Sequence, residues 1–148
     1  MSITQETVRL NYRALGRKRG VQSAVKRAMR KVLSRITRYG SDPMDWSFAH
    51  VPKKTGKLQR ALRRVLRRST MSRIKIGVDD VDYAGFVDSF NPKINWTMWP
   101  GSVYHFFEKF YALVEKTLRK LLRKALVEED LKKYIKWTYS RMVEEIME

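Results

Sequence analysis

The stretch "VYHFFEKFYALVEKTLRKLLRKALV", residues 103–127, carries the strongest helical pattern in the chain. Its apolar side chains recur three or four positions apart, and they are Phe106, Phe107, Phe110, Val114, Leu118, Leu121, Leu122 and Ala125. Because residues at that spacing lie on one face of a helix, the pattern predicts a long amphipathic helix. Glu115 and Arg119 stand four positions apart, which is a favourable order for an ion pair along that helix.

Two shorter helices are predicted in the N-terminal half, with a loop between them. The first begins at Val21 and ends in "YGSDP", residues 39–43. Its apolar side chains are Val21, Val25, Ala28, Met29, Val32, Leu33 and Ile36. Thr55 has the side-chain oxygen of an N-cap, which predicts a second helix over residues 56–68. Residues 41–54 are predicted to form the loop.

The middle of the chain contains alternating patterns. In "SRIKIGVD", residues 72–79, apolar side chains alternate with polar residues or glycine, which predicts a half-buried strand. The segment "INWTMW", residues 94–99, alternates in the same way and could pair with that strand as an antiparallel neighbour. Between them, residues 79–90 are consistent with a turn and a short helix, or with an extended segment.

These elements together predict an α+β fold. We expect a small antiparallel sheet packed against the long C-terminal helix, with basic N-terminal helices and an extra C-terminal helix over residues 131–147. The expected organisation is an N-terminal arm or short helix over residues 1–20, a single α+β domain over residues 21–127 and an appended helix over residues 128–148.

The charge of the chain is its most unusual property. The net charge is +17, and residues 1–69 hold 19 Lys and Arg against 3 Asp and Glu. This asymmetry favours a polyanionic partner near the N-terminal half, with nucleic acid the commonest choice. The chain has no cysteine, which excludes disulfides and thiolate metal sites. Its apolar runs fall short of the roughly 20 residues of a membrane span, so we expect no membrane contact, and its N-terminus is not expected to be a secretory signal.

The sequence offers little for catalysis. His50 and His105 have no second ligand at metal-binding spacing, and no glycine-rich phosphate loop is present. Asp79, Asp80 and Asp82 could hold a divalent cation, as in a nuclease, but aspartates around a turn more often serve the turn itself. We therefore expect no enzyme activity, no metal and no cofactor.

Two basic helices and the segment between them could contact nucleic acid or an acidic protein surface. The candidate contact residues are Lys26, Arg27, Arg30, Lys31, Arg35, Arg38, Lys53, Lys54, Lys57, Arg60, Arg63, Arg64, Arg67 and Arg68. The alternative is a solvated helix face, although such a face normally mixes both signs of charge. The aromatic set could stack bases, but its spacing favours the core or a subunit interface. That set comprises Trp96, Trp99, Tyr104, Phe106, Phe107 and Phe110.

The order of short motifs resembles a family of tailed-phage proteins, the small neck and tail-completion proteins of the head–tail joint. The stretch "VPKKTGKLQRAL" is followed by "IKIGV", then by "DYAGFVD", and then by the long helix, over about residues 21–127. The matching positions are Pro52, Thr55, Gly56, Leu58, Gly77, Tyr83, Ala84, Phe86, Val87 and Asp88. The chain departs from the family pattern at "SFNP", where a glycine is usual, and the helix from Leu131 onward has no counterpart.

The resemblance implies a virion structural protein without catalytic activity. It implies a subunit of a six- or twelvefold ring that joins the head-side connector to the tail tube or tail terminator proteins and lets DNA pass. It also implies location in the virion neck, and in the host cytoplasm during assembly. The alternative from the residues alone is a non-specific nucleic-acid-binding module that uses the basic N-terminal helices.

Overall fold

The computed structural model describes residues 6–38, 41–50, 57–78 and 106–148. In chain order the elements are β1 (Glu6–Arg9), α1 (Arg19–Ile36), α2 (Asp42–His50), α3 (Lys57–Arg67), β2 (Arg73–Ile76), α4 (Phe106–Glu128), a 3-10 turn (Leu131–Lys133) and α5 (Tyr139–Met147). The α+β class is confirmed, with helices around a small antiparallel sheet.

The sheet described in the structure joins the start of the chain to its middle. Strands β1 and β2 run antiparallel, with Val8 opposite Ile74 and Glu6 opposite Ile76. The prediction of an arm or short helix over residues 1–20 is therefore wrong at β1. Ile74 and Ile76 are fully buried, as the alternating pattern predicted. The strand predicted at residues 94–99 and the segment 79–90 lie outside the described residues.

Helix α4 supplies the centre of the core. It packs along α1, α2 and α5, and it lies against the sheet. One hydrophobic cluster unites the buried face of α4 with Ile74 and Ile76 of β2 and with the apolar stripe of α1. The members from α4 are Phe110, Val114, Leu118, Leu122, Ala125 and Leu126. The predicted apolar faces of α1 and α4 are thus confirmed in the described residues.

The predicted loop over residues 41–54 is wrong for its first part, because Asp42–His50 form α2. Pro43 lies in the first turn, where its missing N–H costs no helical hydrogen bond. Asp42 and Asp45 also lie in this turn, at the positive end of the helix. The Oγ of Ser41 accepts a hydrogen bond from the backbone N–H of Met44 at 3.4 Å. "YGSDP" therefore separates two helices and also begins the second.

The predicted helix over residues 131–147 is wrong in its first half. Asp130 adopts a left-handed conformation with φ of 54°, and the chain then makes a 3-10 turn before α5 begins at Tyr139. Thr138 is the N-cap of α5. Its side-chain oxygen accepts a hydrogen bond from the N–H of Arg141 at 3.2 Å. Met142, Val143 and Ile146 form the buried face of α5.

Candidate polyanion interface

The basic face of α1 meets two carboxylates at the far end of α4. Arg27, Lys31 and Arg35 follow one another at four-residue spacing, so their side chains leave the helix on the same face. Glu128 ends α4 and Glu129 follows it. Because α1 packs along α4, the packing brings the two carboxylates under three of the candidate contact residues.

Four ion pairs join these groups, and together they form what we call the glutamate clamp: Arg27, Lys31 and Arg35 with Glu128 and Glu129. Arg27 Nε lies 3.0 Å from Glu129 Oε2, and Lys31 Nζ lies 3.0 Å from Glu129 Oε1. Lys31 Nζ also lies 3.3 Å from Glu128 Oε2, and Arg35 Nη2 lies 2.8 Å from the same oxygen. Lys31 bridges the two carboxylates, so the clamp is a network.

The clamp favours the charged form of every member for which a shift is resolved. The hydrogen bond from Arg35 is the main reason that the pKa of Glu128 lies below its ordinary value. Burial opposes ionisation of Glu129, but hydrogen bonds from Arg27 and Lys31 outweigh it and lower that pKa as well. The hydrogen bond with Glu129 raises the pKa of Lys31. Both carboxylates are therefore ionised near neutral pH, and they pair with three of the six cations of α1.

The other predicted contact residues on α1 differ in their contacts and in their exposure to solvent. The Lys26 ammonium lies 4.6 Å from the centre of the Tyr12 ring, which is within the range of a cation–π contact. Arg38 Nη2 donates to Ser34 Oγ at 3.2 Å. Arg30 is exposed. The structure therefore does not present the basic residues of α1 as a uniformly open row.

Helix α3 carries a second group of predicted contact residues, and it packs against other elements than α1 does. It packs against β2 and α2, whereas the largest contact of α1 is with α4. Arg60, Arg64, Arg67 and Arg68 are exposed, and Arg63 is partly buried. Burial, with a smaller effect from nearby Arg67, lowers the pKa of Arg63. Lys53 and Lys54 lie outside the described residues, and of Lys57 only the backbone, at the start of α3, is described.

A third basic surface lies on α4, and the sequence analysis missed it. Arg119, Lys120, Arg123 and Lys124 all line a groove of about 730 Å³ between α4 and α5. Apolar lining comes from Val127, which is 51% exposed, and from Val143. The signal was present in the sequence, since three- and four-residue spacing places these cations on one side of the helix. It was overlooked because the apolar stripe dominated the interpretation of that segment.

The remaining predicted site residues fall mostly where the structure gives no description. Of the residues that carry the family resemblance, Leu58 lies in the first turn of α3 and Gly77 follows β2 directly. Gly77 has a φ of 154°, a conformation that favours glycine. The others lie outside the described residues: Pro52, Thr55, Gly56, Tyr83, Ala84, Phe86, Val87 and Asp88.

The described residues contain no group of three or more His, Cys, Asp or Glu side chains placed to hold a metal ion. Asp79, Asp80, Asp82 and His105 lie outside that part of the chain. Of the predicted aromatic set, Phe110 is fully buried and Phe107 packs against the core. Trp96, Trp99 and Tyr104 fall beyond the described ranges.

No protein-family model, curated protein or solved structure matches the chain. Among the residues that the structure describes, no helix combines the length and apolar character of a membrane span. Fold and surface together define a small, strongly basic α+β protein in which α1, α3 and α4 each carry a group of cations, and the group on α1 is partly neutralised by Glu128 and Glu129.

Proposed function

We propose that this protein is a structural subunit of the head–tail joint of a tailed phage, acting by assembly into a ring. The observation that carries the proposal is the order of short motifs on the elements of the fold. Leu58 of the Thr-Gly-x-Leu motif lies in the first turn of α3, Gly77 follows β2, and the long helix α4 comes after both. This is the order that the resemblance to neck and tail-completion proteins implies.

In this role the protein has no catalytic activity and needs no cofactor. A six- or twelvefold ring of subunits joins the head-side connector to the tail tube or tail terminator proteins, and DNA passes through its channel. The subunit is a component of the virion neck and is present in the host cytoplasm during assembly. Its excess positive charge faces DNA or acidic surfaces of the neighbouring proteins.

The glutamate clamp supports a channel role in one physical respect. A channel lined by many free arginines would grip DNA through its phosphates, whereas DNA must slide during ejection. Pairing Arg27, Lys31 and Arg35 with two carboxylates reduces the number of cations available for such contacts. A partly neutralised α1 face is therefore compatible with a surface past which DNA moves.

The proposal is tested by the mass and shape of the purified protein. Light scattering and negative-stain images of the full chain, alone and with connector and tail proteins, should reveal annular oligomers. We expect Gly56→Val and Leu58→Asp to reduce assembly more than they reduce binding to free DNA. Lys116→Ala, which changes an exposed residue of α4 outside the candidate contact set, is the control and should assemble normally. A stable monomer at every concentration and with every neighbour would rule out the ring.

The second candidate function is a non-specific nucleic-acid-binding module. The exposed arginines of α3 and the basic surface of α4 favour it, whereas the glutamate clamp weakens the part originally assigned to α1. Its test is the salt dependence of duplex binding, with a slope of about −0.9 for each phosphate contacted. Failure to bind duplex DNA at about 50 mM salt would exclude this function.

A further inference from the structure

A small cavity lies between the end of α1, the start of α2 and the middle of α4. Its volume is about 250 Å³, and its polar lining residues are Arg35, Ser41, Asp42, Thr117, Lys120 and Lys124. Three cationic side chains from two helices therefore line one half-open cavity together with the N-terminal end of α2. We call this the Arg35–Lys124 cavity.

The cations of this cavity have hydrogen-bonding capacity that the described residues do not use. Arg35 donates a hydrogen bond from Nη2 to Glu128, but its Nη1 is buried and has no hydrogen-bond partner in the described part of the chain. None of the ion pairs among the described residues includes Lys120 or Lys124, although the Asp42 carboxylate lines the same cavity. Native proteins seldom leave buried donors unpaired, because the hydrogen bond to water that is lost on burial is then not replaced.

The shape and polarity of the cavity define the ligand class. A volume of about 250 Å³ lies below the roughly 300–1,000 Å³ of sites that enclose a whole organic ligand. Two ammonium groups and the unpaired Nη1 of the Arg35 guanidinium match the several oxygens of a compact oxyanion. The N-terminus of the nine-residue helix α2 adds a favourable dipole. Ser41 already uses its hydroxyl, which donates to Ile36 O at 3.0 Å, so the cations are the principal donors.

We propose that the Arg35–Lys124 cavity binds a phosphate group, through Lys120 and Lys124 with Arg35 behind them. Lys120 and Lys124 also line the larger groove between α4 and α5, beside Arg119 and Arg123. A phosphate in the cavity can therefore belong to a larger molecule whose remainder lies along α4. The same chemistry is offered by free phosphate and by a backbone phosphate of DNA, and the test separates these two sources.

The experiment measures binding of inorganic phosphate to the full chain at constant ionic strength, by thermal shift and by the backbone amide signals of Ser41 and Asp42. Lys120→Met/Lys124→Met is the test variant. Lys109→Met/Lys116→Met is the matched control, since it removes two exposed cations of the same helix that lie outside the cavity. We expect saturable binding in the wild type and the control, and at least about tenfold weaker binding in the test variant.

A third variant, Asp42→Asn, tests whether the bound phosphate lies beside the Asp42 carboxylate. It removes the one carboxylate among the lining residues, so phosphate affinity should rise severalfold while the amide signals of the same residues still respond. Because this change increases binding, it cannot be mistaken for unfolding. The amide spectrum of each variant establishes that it is folded.

A parallel titration with a duplex of about 20 base pairs identifies the source of the phosphate. If DNA affinity falls about tenfold or more in the test variant and much less in the control, the cavity takes a backbone phosphate. If only inorganic phosphate binding falls, the cavity takes the free anion. The proposal is overturned if neither probe binds the wild type saturably, or if the control loses as much affinity as the test variant.

Discussion

Removing the two carboxylates of the glutamate clamp tests whether they mask the basic face of α1. The double substitution Glu128→Gln/Glu129→Gln keeps side-chain size and hydrogen-bonding ability but removes both negative charges. Arg27, Lys31 and Arg35 then lose their only ion-pair partners among the described residues. We expect the variant to bind duplex DNA more strongly, because these cations become available to phosphates.

The expected change in the salt dependence of DNA binding follows from the number of cations that lose their carboxylate partners. Three side chains share two carboxylates in the wild type, at distances of 2.8 to 3.3 Å. Each cation that gains a phosphate makes the slope of log affinity against log salt more negative by about 0.9. The full effect is therefore a slope steeper by about 2.7. Partial release, in which one or two side chains reach phosphates, gives about 0.9 or 1.8.

The assay is fluorescence anisotropy of a labelled duplex across a series of salt concentrations. Glu108→Gln/Glu148→Gln is the matched control, since it makes the same change in net charge at two exposed residues outside the clamp and outside the groove between α4 and α5. A general increase in positive charge would affect both variants equally. If the slopes of the two variants agree within error, the clamp does not mask α1 and the reasoning fails.

Four further outcomes follow from the fold. The pKa values of Glu128 and Glu129 are lowered in the folded state. Their ionised forms therefore stabilise the fold above the ordinary pKa of 4.5, and this stabilisation is lost as pH falls through the folded-state pKa values. The difference in unfolding midpoint between the wild type and Glu128→Gln/Glu129→Gln should therefore disappear in acid. Leu118→Ala, in the fully buried face of α4, should lower the free energy of unfolding by about 2–5 kcal/mol in urea titrations, whereas Val127→Ala at an exposed site should change it by about 0.5 kcal/mol or less. Thr138→Ala should cost about 1 kcal/mol by loss of the α5 cap, with Ser140→Ala as the neutral comparison. Gly77→Ala should cost about 1–3 kcal/mol, because the positive φ strains any residue with a Cβ, and an unchanged melting temperature would contradict this.

The sequence identified the elements whose apolar periodicity is long and regular. The stripes of α1 and α4 extend over several turns, so the pattern alone decides which face is buried. Strand β1 was missed because Glu6–Arg9 contains a single apolar residue, Val8, and is a strand only through its pairing with β2 far along the chain. Helix α2 was missed because Pro43 reads as a break, although it also fits a first helical turn.

The candidate site was predictable only in part, because its key contacts are not local. The basic residues were evident from composition, but the clamp joins positions separated by 93 to 102 residues. In the sequence, "EED" at residues 128–130 indicated only the end of an apolar stripe. The Arg35–Lys124 cavity likewise depends on the packing of α1 and α2 against α4, and the spacing of residues in the sequence does not predict that packing.

The two candidate functions predict opposite dependences on salt concentration, because the chain carries a large positive charge. A ring of identical subunits brings surfaces together that each belong to a molecule of net charge +17. Their repulsion weakens as the screening length falls from about 10 Å at roughly 0.1 M salt to about 3 Å at roughly 1 M. Self-assembly of the isolated protein should therefore strengthen as salt is raised, whereas binding to DNA should weaken over the same range. Sedimentation of the protein alone and with duplex DNA measures both trends. A ring that dissociates at high salt would mean that ion pairs, not apolar surfaces, hold the subunits together.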